Sequence, residues 1–481
     1  MMSIDIILKP SIEIPKEVFQ SYTRIKKNNN KSTVNIRAYA TLPRQPKVMG
    51  LSTLLTVRPQ SSSKQHRPRP YSVLEPLSER TYGLPRALGT DLFKINETRC
   101  ALGASVYLKP FSEFKLRPYQ VKACDAVCKH FAKKGPQGGL MLASCGSGKT
   151  VMAIEIIRRM GVRAAVVVHK DFLMKQWEER INRFFVGAKV GYVQRDRVEI
   201  EGYDIILCMV QTLSQRDYER STMDSVGLVI YDETHHICAK TFSKSLRHFS
   251  ARCRLGLTAT PDRADGLGYL ITWMIGPVLC NIRRRSKPST QKANVTVFRV
   301  RSEISLGPMV FNRLGDPCFT SMITKLVNNT DRNKMLVHLL CKLVKEKRNI
   351  LVASARRSHL KVLQKMLLTT EVLSSQEVGL YVGENTKSGK QKRDLGAPNW
   401  KVIFTTFQMG EEGLDLPHLD TLVITTPKKK IEQLVGRVTR NTESKGARVY
   451  DIDDVKICMF SGMHRKRIVQ YTRLSCCVRQ G

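Results

Sequence analysis

From about Phe111 onward the chain alternates between short apolar, β-rich runs and helix-like stretches. The runs are Gly139–Ala143, Ala164–His169, Asp204–Met209 and Gly227–Tyr231, and Val151–Met160 and Phe172–Phe185 between them predict helices. Strands that read as continuous apolar runs, rather than as strict alternation, are buried on both faces, as in a parallel sheet covered by helices. A second series follows in Asn349–Ala353, Lys401–Thr405 and Leu422–Thr426. The pattern predicts an α/β fold with two tandem domains, each built on a parallel sheet. The first is expected over 111–282 and the second over 341–481. Residues 283–340, opening on the basic run Arg283–Lys292, read as linker and connecting elements.

Residues 1–110 differ from the rest. Asn28–Lys31 is a polar run, and Pro59–Pro70 is rich in Pro, Ser and basic residues, the composition of an exposed linker. Val34–Leu55 mixes apolar and polar residues in strand-like fashion. The region is expected to be partly irregular, and no chemistry is assigned to it.

Composition narrows the function classes. A chain of 481 residues suits two or three domains, and 42% hydrophobic residues suffice to build their cores. Lys and Arg outnumber Asp and Glu 80 to 41, a net charge of +39, which points to a polyanionic partner. The 13 cysteines are scattered, and Cys124, Cys128 and His130 lack an evident fourth ligand, so free thiols of a reducing compartment are expected rather than zinc or disulfides. No apolar run approaches 18 residues and no secretory signal opens the chain, so a soluble intracellular protein is expected, without distinguishing nucleus, cytoplasm or virion. No amphipathic basic helix favours a membrane surface.

Three segments carry candidate chemistry. Ala143, Ser144, Cys145, Gly146, Ser147, Gly148, Lys149 and Thr150 form a phosphate-loop pattern between a strand and a helix, with Ala143 where a first Gly is often found. Gly146 and Gly148 let successive N–H groups converge on one anion at a helix N-terminus. Lys149 is positioned for β- and γ-phosphates, and the Thr150 hydroxyl for Mg²⁺. Downstream, the apolar run Gly227–Tyr231 ends in Asp232, Glu233, Thr234 and His235. Carboxylates at a strand's C-terminal edge lie where open α/β sheets bind ligands. Asp232 is expected to hold Mg²⁺ through water, and Glu233 to polarise an attacking water as a base. Thr258 and Thr260 in Leu257–Pro261 offer hydroxyls to this pair. In the second series Gln433, Arg437 and Arg440 recur at spacings of four and three, which on a helix puts two guanidinium groups on one face.

Taken together, these segments resemble superfamily 2 DExH helicases, closest to the XPB-like branch with its relatives in phages and large DNA viruses. The likeness runs from Leu116 to about Ser475: LRPYQ (Leu116–Gln120), the phosphate loop, VVVHKDFLMKQW (Val166–Trp177), DETHH (Asp232–His236), GLTATPDRADGL (Gly256–Leu267), NILVASAR (Asn349–Arg356), TTFQMGEEGLDLP (Thr405–Pro417) and QLVGRVTR (Gln433–Arg440), in the family's order. The resemblance implies two RecA-like domains with ATP and Mg²⁺ between them. It implies that Arg117 and Gln120 address the base, that Gln433, Arg437 and Arg440 act as γ-phosphate sensor and arginine fingers, and that Gly413 and Asp415 link nucleotide and strand. It also implies a nucleic-acid helicase or translocase, with DNA favoured over RNA, acting in repair, recombination or transcript release. An RNA helicase and a duplex translocase without strand separation are the alternatives. Thr234 departs from the family's usual Cys, Val or Ala, and the Arg-Glu-Asp triplet of XPB proper is not found.

Overall fold

The computed structural model describes residues 12–15, 56–57, 71–72, 75–76, 81–87, 100–111, 115–144, 146–236, 239–259, 266–282, 295–313, 315–383, 399–412, 416, 418–439 and 446–480. Cys145, Thr260, Gly413, Asp415 and Arg440 lie outside the described residues, as do Val34–Leu55, Pro59–Pro70 and Arg283–Lys292. The chain divides into two compact units, Met1–Arg284 and Arg285–Gly481.

The first unit is built on an eight-stranded sheet. Its strands are β1 (Gln137–Ala143), β2 (Ala164–Val168), β3 (Val190–Gln194), β4 (Arg197–Val198), β5 (Ile205–Met209), β6 (Leu228–Tyr231), β7 (Cys253–Thr258) and β8 (Val278–Ile282), in the spatial order β4-β3-β5-β2-β6-β7-β1-β8. All neighbours are parallel except the short β3–β4 hairpin. The central strands β2, β5 and β6 are buried at every residue, because helices cover both faces and leave no side to water. Each fully buried Val, Leu or Ile there contributes about 1.5–3 kcal/mol. Helix α1 (Pro118–Phe131) takes Pro118 at its first position, and α2 (Lys149–Met160) begins after Gly148 and stops at Gly161, both glycines left-handed. Helix α3 (Asp171–Phe184) buries Leu173, Met174, Trp177 and Ile181, one stripe at helical spacing.

The N-terminal segments belong to this unit. Ile12–Pro15 pairs antiparallel with Thr81–Leu84, which also pairs with Glu75–Pro76. Buried Arg86 donates to the carbonyls of Ala251 and Arg252, each at 2.6 Å, and so ties this region to the start of β7.

The second unit holds a seven-stranded, wholly parallel sheet. Its strands are β9 (Val295–Ser302), β10 (Ile350–Ser354), β11 (Val378–Tyr381), β12 (Val402–Thr406), β13 (Thr421–Ile424), β14 (Ala447–Asp454) and β15 (Cys477–Gln480), in the order β11-β12-β10-β13-β14-β9-β15. Residues 283–340, expected to be linker and connecting elements, include a strand and helices of this unit. Strand β9 pairs with β14 along eight residues, and α4 (Phe319–Val327) and most of α5 (Thr330–Lys345) pack as helices of this unit. The expectation missed β9 because charged Arg299 and Arg301 interrupt its apolar run.

Strand β14 carries Asp451, Asp453 and Asp454, all buried. Each has a basic partner. Arg467 of α7 (Cys458–Arg473) clamps Asp451, Arg299 holds Asp453, and Arg332 of α5 meets Asp454 bidentately at 2.7 and 3.0 Å. Breaking a buried pair strands an uncompensated charge, which costs about 3–5 kcal/mol. Arg332→Ala should therefore lower the stability of the second unit by about that amount, read as a shifted midpoint in a urea titration. A midpoint unchanged from the parent protein would show that the pair contributes little.

Candidate functional site

The strand order sets the site. Strands β6, β7 and β1 are neighbours, so the acidic turn after β6, Thr258 at the end of β7 and the loop after β1 emerge side by side at the C-terminal edge of the sheet. Ala143 ends β1, and Ser144 follows, its amide donating to the Ile282 carbonyl at 3.2 Å. Ser147 Oγ donates to the Ser144 carbonyl at 2.7 Å, curling the loop back on itself. Gly146 and Gly148 have φ of 77° and 82°, the left-handed region where a side chain is strained. A Cβ on Gly148 would also sit 2.4 Å from Gln120 Nε2, whereas one on Gly146 would meet nothing within 4 Å, so the loop is pinned on one side and open on the other.

Gln120 does the pinning. Its amide donates to the Ser147 carbonyl at 3.1 Å and its oxygen accepts the Arg117 N–H at 2.9 Å, while the Tyr119 hydroxyl donates to the same Ser147 carbonyl at 3.0 Å. The start of α1 therefore braces the loop. The resemblance implies that Gln120 addresses the base; the geometry adds this brace, which spacing alone does not show. Beside it opens a cleft of about 740 Å³ lined by Phe111, Arg117, Tyr119, Gly146, Asn182 and Arg183, among others. Phe111 N–H donates to the Phe184 carbonyl at 3.0 Å, so the chain before α1 and the end of α3 close one wall together.

Lys149 and Glu233 meet across β7. Lys149 Nζ lies 3.2 Å from Glu233 Oε1, with side-chain exposures of only 12% and 17%. Burial opposes ionisation of Glu233, but the Lys149 ammonium, with His235 beside it, outweighs that and holds the carboxyl below its usual range. Asp232 moves the other way: burial and the neighbouring Glu233 charge push its carboxyl up. Such a carboxylate favours an added cation, which would offset both effects. Glu233 itself has φ of 46°, an uncommon conformation for a non-glycine residue and one often found at sites.

The turn is held from below by Thr234, fully buried. Its Oγ1 lies 2.8 Å from the Tyr231 carbonyl and 3.0 Å from that of Leu257, so its one proton is shared between β6 and β7. The threonine that departs from the family pattern thus stitches the acidic turn to the next strand. His235 Nδ1 lies 3.4 Å from Thr258 Oγ1 and 3.4 Å from Glu233 Oε2. The rings of His235, His236 and His169 follow one another with centroids 4.2 Å apart per step, each tilted 39° from the next. Burial, with the neighbouring cations, pushes His169 down to about 4 and His236 down to about 3, so both rings are neutral near pH 7.

Trp177 has a role that its spacing in the sequence does not show. It is 1% exposed on α3, and its indole Nε1 donates to Asp232 Oδ2 at 2.9 Å. Only its place in the stretch Val166–Trp177 could have suggested it. Thr150 lies on the first turn of α2, half-buried. In the second unit Gln433 and Arg437 lie one turn apart on α6 (Glu432–Val438), where Arg437 Nε donates to the Glu411 carbonyl at 3.1 Å. Among the described residues no three His, Cys, Asp or Glu side chains group as a metal site, and no helix is long and apolar enough to cross a membrane.

The first unit's residues suit a phosphorylated ligand carrying a divalent cation. A glycine loop opens at a helix N-terminus, a lysine stands beside it, the Asp232 carboxylate is fixed by two N–H donors, and buried Ser144 Oγ has no hydrogen-bond partner among the described residues.

Residues 113–263 match the family described as Type III restriction enzyme, res subunit. The chain is 32% identical over 356 residues to L396 of Acanthamoeba polyphaga mimivirus, which carries the name of an ATP-dependent RNA helicase; the match covers 73% of this chain and 66% of that one. It is 30% identical over 171 residues to the DNA 3'-5' translocase XPB2 of Sulfurisphaera tokodaii, covering 35% of this chain and 36% of the relative. The matched parts thus span under two thirds of either relative. Among solved structures T4 UvsW aligns over 99% of both chains at 14% identity with a TM-score of 0.36, a likeness that adds nothing to the fold read from the strand order.

Gly148→Ala should weaken ADP binding at least tenfold, because the added methyl group strains a left-handed position and displaces the Gln120 brace. A fluorescent-ADP titration checks this; unchanged affinity would show that the loop does not grip phosphate.

Proposed function

We propose that the chain, which resembles the superfamily 2 helicases, is an ATP-hydrolysing motor that moves along or unwinds nucleic acid, DNA in preference to RNA. The observation that carries the reading is the ion pair between Lys149 and Glu233, 3.2 Å apart at the mouth of the glycine loop. A lysine and a carboxylate paired at the loop's mouth are within reach of a phosphate bound there. Lys149 then turns to the β- and γ-phosphates and Glu233 is released to accept a proton from the attacking water.

The loop holds the phosphates through backbone N–H groups of Gly146 and Gly148. The base and ribose occupy the cleft beside Arg117 and Gln120. Thr150 and Asp232 hold Mg²⁺, which supplies charge neutralisation of the phosphates. Gln433, Arg437 and Arg440 supply an amide and two guanidinium groups suited to a phosphate, and Gly413 and Asp415 relate nucleotide state to the bound strand. The net charge of +39 supports a phosphate-dominated grip with little base reading. The preference for DNA is supported by the resemblance to the XPB-like branch and by the relative named as a DNA translocase. The mimivirus relative's name favours RNA, and that is the second reading.

The reading is tested by ATP hydrolysis without nucleic acid and then with single-stranded DNA, duplex DNA and RNA, at two salt concentrations. Stimulation by DNA that fades with salt is expected, the single-strand to duplex ratio separating unwinding from duplex translocation. Stimulation by RNA alone would replace DNA as the substrate, and no turnover under any condition would overturn the motor. A separate variant, Glu233→Gln, should still bind ATP while turnover falls by about 10²–10⁴, since an amide cannot take the proton. Parallel loss of binding and turnover would reassign Glu233 to holding the loop.

A further inference from the structure

We propose that Trp177 is the positioning residue of Asp232: its indole N–H holds one carboxylate oxygen so that the remaining lone pairs stay aimed at the divalent cation. This rests on the reading of Asp232 as the Mg²⁺ ligand. An aspartate carboxylate rotates easily about its last side-chain bond, in a broad two-fold well. Here that freedom is removed from both sides. The Glu233 N–H donates to Oδ1 at 2.9 Å and Trp177 Nε1–H donates to Oδ2 at 2.9 Å. The two donors come from different elements: one from the turn itself, the other from the buried face of α3.

An ionised carboxylate offers about four lone-pair directions, so two remain once both donors are placed. The donor's chemistry also matters. An indole N–H only donates, so unlike histidine or serine it cannot compete for the cation. Packing alone does not call for tryptophan, because Leu173, Met174 and Ile181 already supply the apolar stripe of α3. A buried indole N–H needs an acceptor and a buried carboxylate needs donors, so each satisfies the other. The same helix ends at Asn182 and Arg183 in the wall of the cleft, so the donor to Asp232 and part of the ligand cavity share one rigid element. Trp177 does not face the cleft and acts only through Asp232.

The test is Mn²⁺ binding to the ADP complex of the full chain, followed by electron paramagnetic resonance, in the parent protein, Trp177→Phe and Asp232→Asn. Trp177→Phe keeps an aromatic ring and removes the donor. It should weaken Mn²⁺ by about 10–100-fold, the usual cost of losing an outer-shell partner, while metal-free ADP binds as before. Asp232→Asn should lose Mn²⁺ more severely. If Asp232→Asn loses Mn²⁺ and Trp177→Phe does not, the proposal falls and the metal reading stands. If Asp232→Asn keeps Mn²⁺, both fall. Equal loss of metal-free ADP and of Mn²⁺ in Trp177→Phe would make the residue a packing element and overturn the proposal. A second measurement does not depend on that variant folding. The chain has three tryptophans, so the indole ¹⁵N–H signal of Trp177 is assigned with Trp273→Phe and Trp400→Phe. That signal should move when Mg²⁺ joins the ADP complex and stay in place when ADP binds alone; no metal-dependent movement would overturn the proposal.

Discussion

A parallel sheet buried on both faces can present polar groups only at its ends, and the first unit is organised by that constraint. Strands β2, β5 and β6 have no exposed residue, so nothing can be bound along them. What remains is the edge where strands hand over to loops. There the adjacency of β6, β7 and β1 brings Asp232 and Glu233 within reach of Lys149, though these residues lie more than 80 positions apart in sequence. The same adjacency explains Thr234, whose hydroxyl spans β6 and β7 beneath the acidic turn.

Around this edge the structure supports each charged group in turn. Gln120 and Tyr119 brace the glycine loop through one carbonyl, that of Ser147. Trp177 and the Glu233 N–H fix the two oxygens of Asp232. Neutral His169 and His236 lie tilted against one another behind His235, so weakly polar rings line that side of the acidic pair. The low dielectric of such a setting makes each contact stronger and each missing partner costlier.

The second unit meets the opposite problem. Its strand β14 places three aspartates in the interior, and Arg467, Arg299 and Arg332 from three other elements neutralise them. Burying these charges is tolerable only because every one is paired, and their removal one at a time is penalised by the charge left behind.

Periodicity alone made the two parallel-sheet units legible, because strands buried on both faces must be apolar throughout and the apolar runs fell within a residue or two of the observed strands. The phosphate loop and the acidic turn were legible because both are local: adjacent residues do the work at a strand end. Strands β9 and β14 were not legible as core, since Arg299, Arg301 and the three aspartates look like surface until their partners, more than 100 residues away in two cases, are brought beside them. Nor could sequence show that Gln120 braces the loop or that Trp177 holds Asp232. A hydrogen bond between residues 27 or 55 positions apart is decided by which strands and helices become neighbours, and that choice is made only when the whole sheet closes its core.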